Sequence, residues 1–267
     1  KLDPTGLIAD QQLTAISARA HEMMVEQYRC FLSELEPELE QHNIRRVPME
    51  ELTGEHQEFL NRVFQEEIFA PLGMSDTGFT LQVEDKKRFA SLYTPLSGDA
   101  MALGSAKDGG ETLRLVDHSD TTSYASTQTF SGGGGLIATI DDYMQFCEMI
   151  RSGGVLHGNR LLSSQSVAFM MRNHLPGDIA SMGPQSFAEQ PMEGMGFGLA
   201  GAVVLDPARA RTPGSVGDFS WGGIASTFFW IDPVLDMSVV FLTQLSPSSS
   251  YPARPELKAL IHGALIS

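Results

Sequence analysis

The sequence predicts an α+β protein in which helices come first, an antiparallel sheet comes late and a further helix closes the chain. Of the 26 glycines, only Gly6 and Gly54 precede residue 71, and apolar residues recur there at helical spacing. The last third instead carries apolar and β-branched runs separated by Asp-Pro, Pro-Gly and Gly-Asp turns. With 267 residues, 42% of them hydrophobic, the chain is long enough for one large or two small globular domains.

The first third predicts a helical hairpin over residues 1–68. One helix spans about 10–36, and Thr53 can cap a second helix over 53–67. We expect the two helices to be antiparallel and to bury their apolar stripes against each other. The stripe of the first helix comprises Leu13, Ile16, Ala20, Met23, Tyr28, Phe31 and Leu35, and that of the second comprises Phe59, Leu60, Val63 and Phe64.

Turn residues at 71–78 end this helical pattern. Residues 95–135 are rich in Gly, Ser, Thr and Asp and are predicted to be mostly loop. Thr139 then begins a capped helix, and Ser163 or Ser164 can cap a shorter one. The apolar stripe of the Thr139 helix comprises Tyr143, Phe146, Cys147 and Ile150.

Three late runs predict neighbouring antiparallel strands, at 195–205, 224–231 and 237–245. Residues 232–236 have the length of a hairpin connection between the last two. Pro255 then opens a closing helix over 256–265, which we expect to pack on one face of the sheet.

The charge and residue content exclude several classes of function. With 18 basic and 33 acidic residues, the net charge of −15 disfavours nucleic acid and membrane surfaces as partners. Cys30 and Cys147 could form one disulfide, but we interpret them as two buried thiols, which weakly favours a cytoplasmic location. The start has neither an initiator Met nor a signal-peptide core, so we expect a fragment or a processed chain.

Neither a metal nor a cofactor is expected. The histidines and cysteines lack the spacing of metal ligands. The glycine run at 131–135 lacks the Gly-Lys-Ser or Gly-Lys-Thr of a phosphate cradle, so we interpret it as a loop that enters the Thr139 helix. A nucleophile elbow of the Gly-x-Ser-x-Gly type is also absent, since Ser220 is followed by Gly222 but preceded by Asp218.

From residue 68 onward, the chain resembles the C-terminal portion of serine esterases that have a class C β-lactamase fold, the family VIII esterases. The matching segments occur in the family's order. They are Ile-Phe-Ala-Pro-Leu-Gly-Met-Ser-Asp-Thr-Gly-Phe at 68–79, Arg-Phe-Ala-Ser-Leu-Tyr at 88–93, Ser-Gly-Gly-Gly-Gly-Leu at 131–136, Gly-Phe-Gly-Leu at 196–199, Ser-Trp-Gly-Gly at 220–223 and Phe-Trp-Ile-Asp-Pro at 229–233. The resemblance implies a β-lactamase or penicillin-binding-protein-like fold over 69–267, with an antiparallel sheet flanked by helices.

The resemblance also implies an acyl-transfer site that borders one strand. In this family a strand motif, here Trp221-Gly222-Gly223, lines the acyl site, and the amide of Ile224 would supply an oxyanion donor. These four residues are therefore the expected substrate-binding residues. Glycines suit such a strand because a substrate must approach its backbone closely.

The family's other two motifs, Ser-x-x-Lys and a general base tyrosine, have no counterpart. No serine is followed by a lysine three residues later, and Ser105 and Lys107 have the wrong spacing. Tyr124 and Ser126 superficially match the tyrosine motif but follow Gly73, on the wrong side of it. The catalytic residues are therefore unknown, and we expect no turnover.

The first 67 residues resemble a different family, the N-terminal helical domain of polyphosphate kinase. The matching segments are Leu-Asp-Pro-Thr-Gly-Leu at 2–7, Glu-Gln-Tyr-Arg at 26–29, Ile-Arg at 44–45 and Phe-Gln-Glu-Glu-Ile-Phe at 64–69. We therefore expect a chimera, with a helical segment over 1–68 joined near residues 66–70 to the esterase-like portion over 69–267.

Three functions fit this organisation. The first is a serine hydrolase for small esters or lactams that works through an acyl-enzyme and is inactive as it stands. The second is a non-catalytic binding or scaffold protein that retains the fold. The third is a polyphosphate-kinase-related helical fragment that acts in assembly. The sequence leaves the oligomeric state open.

Overall fold

A computed structural model describes residues 54–95, 113–127, 130, 134–182, 186–187 and 190–265, which fall almost wholly within one compact unit, Glu55–Ser267. The helices are α1 (Gly54–Phe64), α2 (Ala70–Leu72), α3 (Ile140–Arg151), α4 (Ser164–Met170), α5 (Ile179–Met182) and α6 (Ala253–Ala264). The strands are β1 (Leu92–Pro95), β2 (Leu113–Asp117), β3 (Val155–Leu156), β4 (Asn159–Arg160), β5 (Ser186–Phe187), β6 (Gln190–Pro191), β7 (Met195–Phe197), β8 (Ala202–Val204), β9 (Phe219–Gly222), β10 (Phe228–Asp232) and β11 (Met237–Phe241).

The late strands form one antiparallel sheet in the order β11-β10-β9-β8-β7. The prediction of neighbouring antiparallel strands is therefore confirmed, but the boundaries of all three runs were wrong. The run at 237–245 ends as a strand at Phe241. The run at 195–205 is a hairpin of two strands, because the chain turns where the Gly198 amide donates to the Gly201 carbonyl, at 2.7 Å. The run at 224–231 becomes a strand only at Phe228, since the preceding residues form the turn after β9.

The main hydrophobic core lies between one face of this sheet and α3. Phe219, Phe229 and Ile231 point to that face and pack with Cys147 and Ile150 of the helix, all of them nearly inaccessible to solvent. The predicted cap of α3 is present, since the Thr139 hydroxyl accepts from the Asp142 amide at 3.3 Å. The sequence thus predicted both the start and the buried stripe of α3 correctly.

The opposite face of the sheet is covered by α6, which confirms the predicted closing helix. Arg254 lies over the ring of Phe228, and the Lys258 ammonium lies 5.5 Å from the centre of the Trp230 ring. Both cationic side chains are buried, whereas Leu260 on the outer side of the same helix is 71% exposed. The buried side chains of this helix are therefore both basic.

Helix α1 continues through a wider π-type turn, Gln65–Phe69, into α2 and ends at Gly73, whose φ of 71° suits a glycine. Phe64 packs edge-on against Phe79, 5.4 Å between ring centres. The expectation that Phe59 is buried was wrong: it is 58% exposed, with the Arg62 guanidinium over its ring. The predicted partner helix at 10–36 lies outside the described residues, and so does Cys30.

The loop predicted over 95–135 contains regular structure in its described parts. β1 and β2 form an antiparallel pair, and Ser123–Ser126 form a 3-10 turn. Residues 113–116 of β2 are all exposed, so this strand lacks the buried apolar face by which a strand is usually recognised in a sequence.

The turn segment at 71–78 is hydrogen-bonded to the N-terminus of α3. One oxygen of the buried Asp142 carboxylate accepts from the Asp76 amide and from the Thr77 hydroxyl, both at 2.8 Å. The Gly78 amide donates to the Ile137 carbonyl at 3.0 Å, just before the helix begins. This esterase-like segment thus has a structural role.

Replacing Asp142 with alanine is expected to lower the free energy of unfolding by roughly 1–2 kcal/mol, because two donors lose their acceptor, one of them fully buried. Urea unfolding followed by circular dichroism measures the change. Asp141→Ala is the matched control, since Asp141 is the exposed neighbour on the same helical turn, and its effect should be about 0.5 kcal/mol or less. Equal losses in the two variants would contradict this role of Asp142.

Candidate functional site

The four expected binding residues lie where β9 ends. Trp221 and Gly222 are the last residues of the strand, and Gly223 and Ile224 begin the turn to β10. The turn is closed by the Gly223 amide, which donates to the Thr227 carbonyl at 2.8 Å. The Ile224 side chain is 75% exposed, so this corner of the sheet is open to solvent.

The strand register leaves part of β9 beyond its neighbour. β8 pairs with β9 only at Phe219 and Ser220, whereas β10 pairs with it as far as Gly222. The pairing with β8 therefore stops before the Trp-Gly-Gly segment. Within the described residues, the Ile224 amide donates no hydrogen bond.

The Trp221 side chain lies on the α3 side of the sheet. Its ring meets that of Phe197 edge-on, with 5.1 Å between ring centres, and both residues are half-buried. It also packs against both apolar clusters of the core. The indole is therefore held in place at the end of the strand.

Gly222 points to the other face, where α6 lies. A Cβ atom at this position would lie 2.1 Å from Nη2 of Arg254 and 2.9 Å from the Thr227 carbonyl oxygen. At Gly223 it would lie 2.6 Å from the Thr227 hydroxyl oxygen. The sequence predicts that these glycines allow the close approach of a substrate, but the space that a side chain would take at either position is already filled by protein atoms.

A buried ion pair that the sequence did not reveal lies behind this site. Nζ of Lys258 is 2.7 Å from Oδ2 of Asp218, and neither side chain is more than 2% exposed. Burial, with the nearby carboxylate of Asp232, outweighs the lysine and raises the pKa of Asp218 to about 6. The available signal was the recurrence of basic residues at 254, 258 and 262, which is the spacing of one helix face.

None of the described serines near the strand is set up as a nucleophile. Ser220 is 3% exposed and faces α6, and the buried Ser226 hydroxyl donates to the Leu245 carbonyl at 2.6 Å. Tyr124 is half-buried, and its hydroxyl donates to the Gly134 carbonyl at 3.4 Å. Ser126 is exposed in its 3-10 turn, while Ser105, Lys107 and Ser131 lie outside the described residues.

Two further observations bear on other chemistries. Burial raises the pKa of the Cys147 thiol to about 12, so it is a packing residue rather than a nucleophile. In the described part of the chain, no three His, Cys, Asp or Glu side chains are grouped as metal ligands, and no helix is long and apolar enough to cross a membrane.

Comparison with known proteins identifies two families. The Beta-lactamase family model matches residues 49–263, and the model of the polyphosphate kinase N-terminal domain matches residues 1–47. A polyphosphate kinase of Lactiplantibacillus plantarum is 42% identical over 72 residues, which are 27% of this chain and 10% of that protein. Both resemblances drawn from the sequence are confirmed.

Individual relatives agree with the larger match. Protein Rv1367c of Mycobacterium tuberculosis is 32% identical over 198 residues, 73% of this chain and 45% of that protein. Esterase EstB of Burkholderia gladioli is 31% identical over 182 residues, 66% of this chain and 42% of that protein. The chain thus spans less than half the length of these curated relatives.

Solved structures show the same fold. EstCE1, described as a hydrolase with promiscuous acyltransferase activity, matches with a TM-score of 0.55 and 27% identity, over 74% of this chain and 49% of that one. Simvastatin synthase (LovD) from Aspergillus terreus has the fold at 22% identity, with a TM-score of 0.56, over 76% of this chain and 48% of that one. With its sheet, its flanking helices and the match over residues 49–263, the chain belongs to the beta-lactamase family.

Proposed function

We propose that residues 69–267 form the sheet side of a serine-hydrolase site for small esters or lactams, and that the chain does not turn over such substrates by itself. Trp221, Gly222, Gly223 and Ile224 are the substrate-binding residues of this proposal. The amide of Ile224 is the oxyanion donor.

The observation that carries the proposal is the register of β9. Because β8 stops pairing at Ser220, the backbone from Gly222 to Ile224 is accessible from that side. A carbonyl group placed there would meet an amide that has no partner among the described residues. Preorganised backbone donors of this kind stabilise the negative charge that develops on an acyl oxygen.

The lack of turnover is inferred from spacing. A serine hydroxyl needs a base within about 3 Å to become a good nucleophile. No serine in the chain has a lysine three residues later, and Ser220 and Ser226 near the strand are buried. Without nucleophile and base, only oxyanion and binding contributions remain, so several powers of ten in rate are lost.

We therefore expect the purified chain to hydrolyse nitrophenyl acetate or butyrate no faster than a folded control protein of similar size. A fluorophosphonate probe should leave its serines unmodified, as read by mass spectrometry of the intact protein. Stoichiometric labelling of one serine, with hydrolysis abolished by its replacement with alanine, would overturn the inactive half of the proposal. Ser105, Ser126 and Ser131 would be the first to replace.

The binding half of the proposal has its own test. Butyrate, the carboxylate product of butyryl ester hydrolysis, should shift the amide resonances of Gly223 and Ile224 in a titration followed by ¹⁵N NMR. Ile224→Pro removes the amide hydrogen and should abolish the response, whereas Ile224→Ala retains it and should respond like the parent. The exposed side chain makes Ile224→Ala mild for folding. For Ile224→Pro, which also fixes the backbone, amide resonances outside this turn that match those of the parent show that the fold is retained. Saturating butyrate that moves no resonance in this turn would refute the oxyanion site.

The N-terminal segment supports a composite origin. The polyphosphate kinase match of 72 residues is longer than the family-model match at 1–47, while the beta-lactamase match already begins at residue 49. The two similarities therefore meet around α1. We place the join near residues 66–70, which keeps 1–68 as the helical segment and 69–267 as the esterase-like portion.

A further inference from the structure

Two buried carboxylates face each other beneath α6. Phe219 of β9 pairs with Ile231 of β10, so extending this register by one residue places Asp218 opposite Asp232. Directly opposed residues of antiparallel strands share a face, with their Cβ atoms about 5 Å apart. Both side chains are fully buried. Two carboxyl groups therefore share a site that solvent does not reach.

The positive charge beside Asp218 comes from Lys258 of α6. The Lys258 ammonium donates to Asp218 at 2.7 Å. Asp232 is held instead by backbone amides: Ser215 donates at 3.1 Å, and Val234 and Leu235 each donate at 3.0 Å. Two ionised carboxylates would leave the pair with more negative charge than the lysine balances.

Among the described residues, further charged or titratable groups on this face lie on α6. Arg254 lies over the Phe228 ring, one helical turn before Lys258. His262 follows one turn after Lys258, and its Nε2 atom is buried without a hydrogen-bond partner among the described residues. Burial and the Lys258 charge lower the pKa of His262.

One oxygen of the pair lacks a donor. Oδ1 of Asp218 is buried and accepts no hydrogen bond in the described part of the chain. An ionised oxygen in that position is costly, whereas a protonated carboxyl group reduces both the desolvation and the repulsion from Asp232. A proton on Asp218 thus lowers the electrostatic free energy of the cluster.

We propose that this cluster makes the seating of α6 on the sheet depend on pH: the helix is held most firmly when the Asp218 carboxyl is protonated, and it opens more often when that carboxyl is ionised. Because Arg254 on the same helix contacts Gly222, opening of α6 also loosens the strand at the candidate site.

The direction follows from the protonation equilibria. Burial raises the pKa of Asp218 from 3.8 to about 6 in the seated state, and opening returns it towards its ordinary value. The seated helix therefore has its full advantage below about pH 4 and loses this advantage as the pH rises through about 6. His262 acts in the opposite sense, since its lowered pKa disfavours the seated helix as the pH falls below 6.5. His262→Gln removes this opposing contribution.

Amide hydrogen exchange of α6 between pH 4 and pH 8, corrected for the intrinsic exchange rate, tests the proposal. In the His262→Gln protein, the opening equilibrium of α6 should rise by tens of fold across this range, since a shift of two pKa units corresponds to roughly 100-fold. Adding Asp218→Asn to this variant should make the opening equilibrium of α6 independent of pH. The amides of α3, on the other face of the sheet, are the internal control and should change much less.

A flat α6 profile in His262→Gln, an unchanged profile after Asp218→Asn, or an equal change in α3 would each overturn the proposal. If the Asp218→Asn protein does not fold, a ¹³C NMR titration of the Asp218 carboxyl in the unmodified chain decides the matter. Titration near pH 6 supports the proposal, and titration near pH 4 refutes it. These measurements do not require hydrolase activity, so their outcome is independent of the proposed function.

Discussion

Replacing Lys258 with alanine is expected to lower the free energy of unfolding by roughly 3–5 kcal/mol, because it leaves the fully buried Asp218 without its counter-charge. The ammonium lies 2.7 Å from the Asp218 carboxylate and over the Trp230 ring, so its removal also empties space against the sheet. Urea unfolding at pH 7 measures the loss. At this pH the carboxylate is mostly ionised, and the effect should be near its largest.

A double-mutant cycle separates the charge from the lost packing. The Asp218→Asn and Lys258→Met changes keep similar volumes, and the double variant should be more stable than the two single losses predict. The matched control is Lys87→Ala, which removes an exposed lysine from a 3-10 turn and should cost less than about 0.5 kcal/mol. Additive losses at Asp218 and Lys258 would show that the pair is not coupled, contrary to the buried ion pair described above.

Repeating the Lys258→Ala measurement at pH 5 adds a second check. The raised pKa of Asp218 means that the carboxyl is largely protonated there, so the loss of the lysine should cost less than at pH 7. An equal cost at both pH values would mean that Asp218 titrates at its ordinary value in the folded protein.

The sequence predicted those parts of the fold that depend on local signals. The cap at Thr139, the glycine stop at Gly73 and the closing helix all follow from residue types at fixed spacings, and the structure confirms them. The wrong boundaries lie where the chain turns within an apolar run. Residues 198–201 and 224–226 are apolar enough to continue a strand, yet backbone hydrogen bonds close turns there.

In the candidate site, too, only the features with a local sequence signal could be predicted. The Trp-Gly-Gly segment is contiguous and was visible as a motif. The residues that pack against it and stabilise it come from elements far apart in sequence. Arg254 fills the space beside Gly222, and Lys258 pairs with Asp218 across 40 positions. Nothing in the local sequence of α6 distinguishes a basic face that packs inward from one that meets solvent. This choice depends on the buried carboxylates of the sheet, so it could not be predicted without the fold.

Gly222→Val is expected to lower the free energy of unfolding by ~3 kcal/mol, at the upper end of the cost of overpacking. The first added carbon would lie 2.1 Å from Nη2 of Arg254 and 2.9 Å from a backbone oxygen, and the buried guanidinium has little room to withdraw. Gly222→Ala should lower the free energy of unfolding by less, through the same clash with Arg254. Thermal and urea unfolding measure both variants.

The double variant Gly222→Ala with Arg254→Ala identifies the cause, because truncating Arg254 removes the atoms that the new Cβ would strike. The combined loss should therefore be smaller than the sum of the single losses. Gly263→Ala on α6 is the control: no atom lies within 4 Å of a Cβ added there, so it should be neutral or slightly stabilising. If Gly222→Ala is as mild as Gly263→Ala, the strand is free to shift, and the glycine is explained by access to its backbone rather than by the packing of α6.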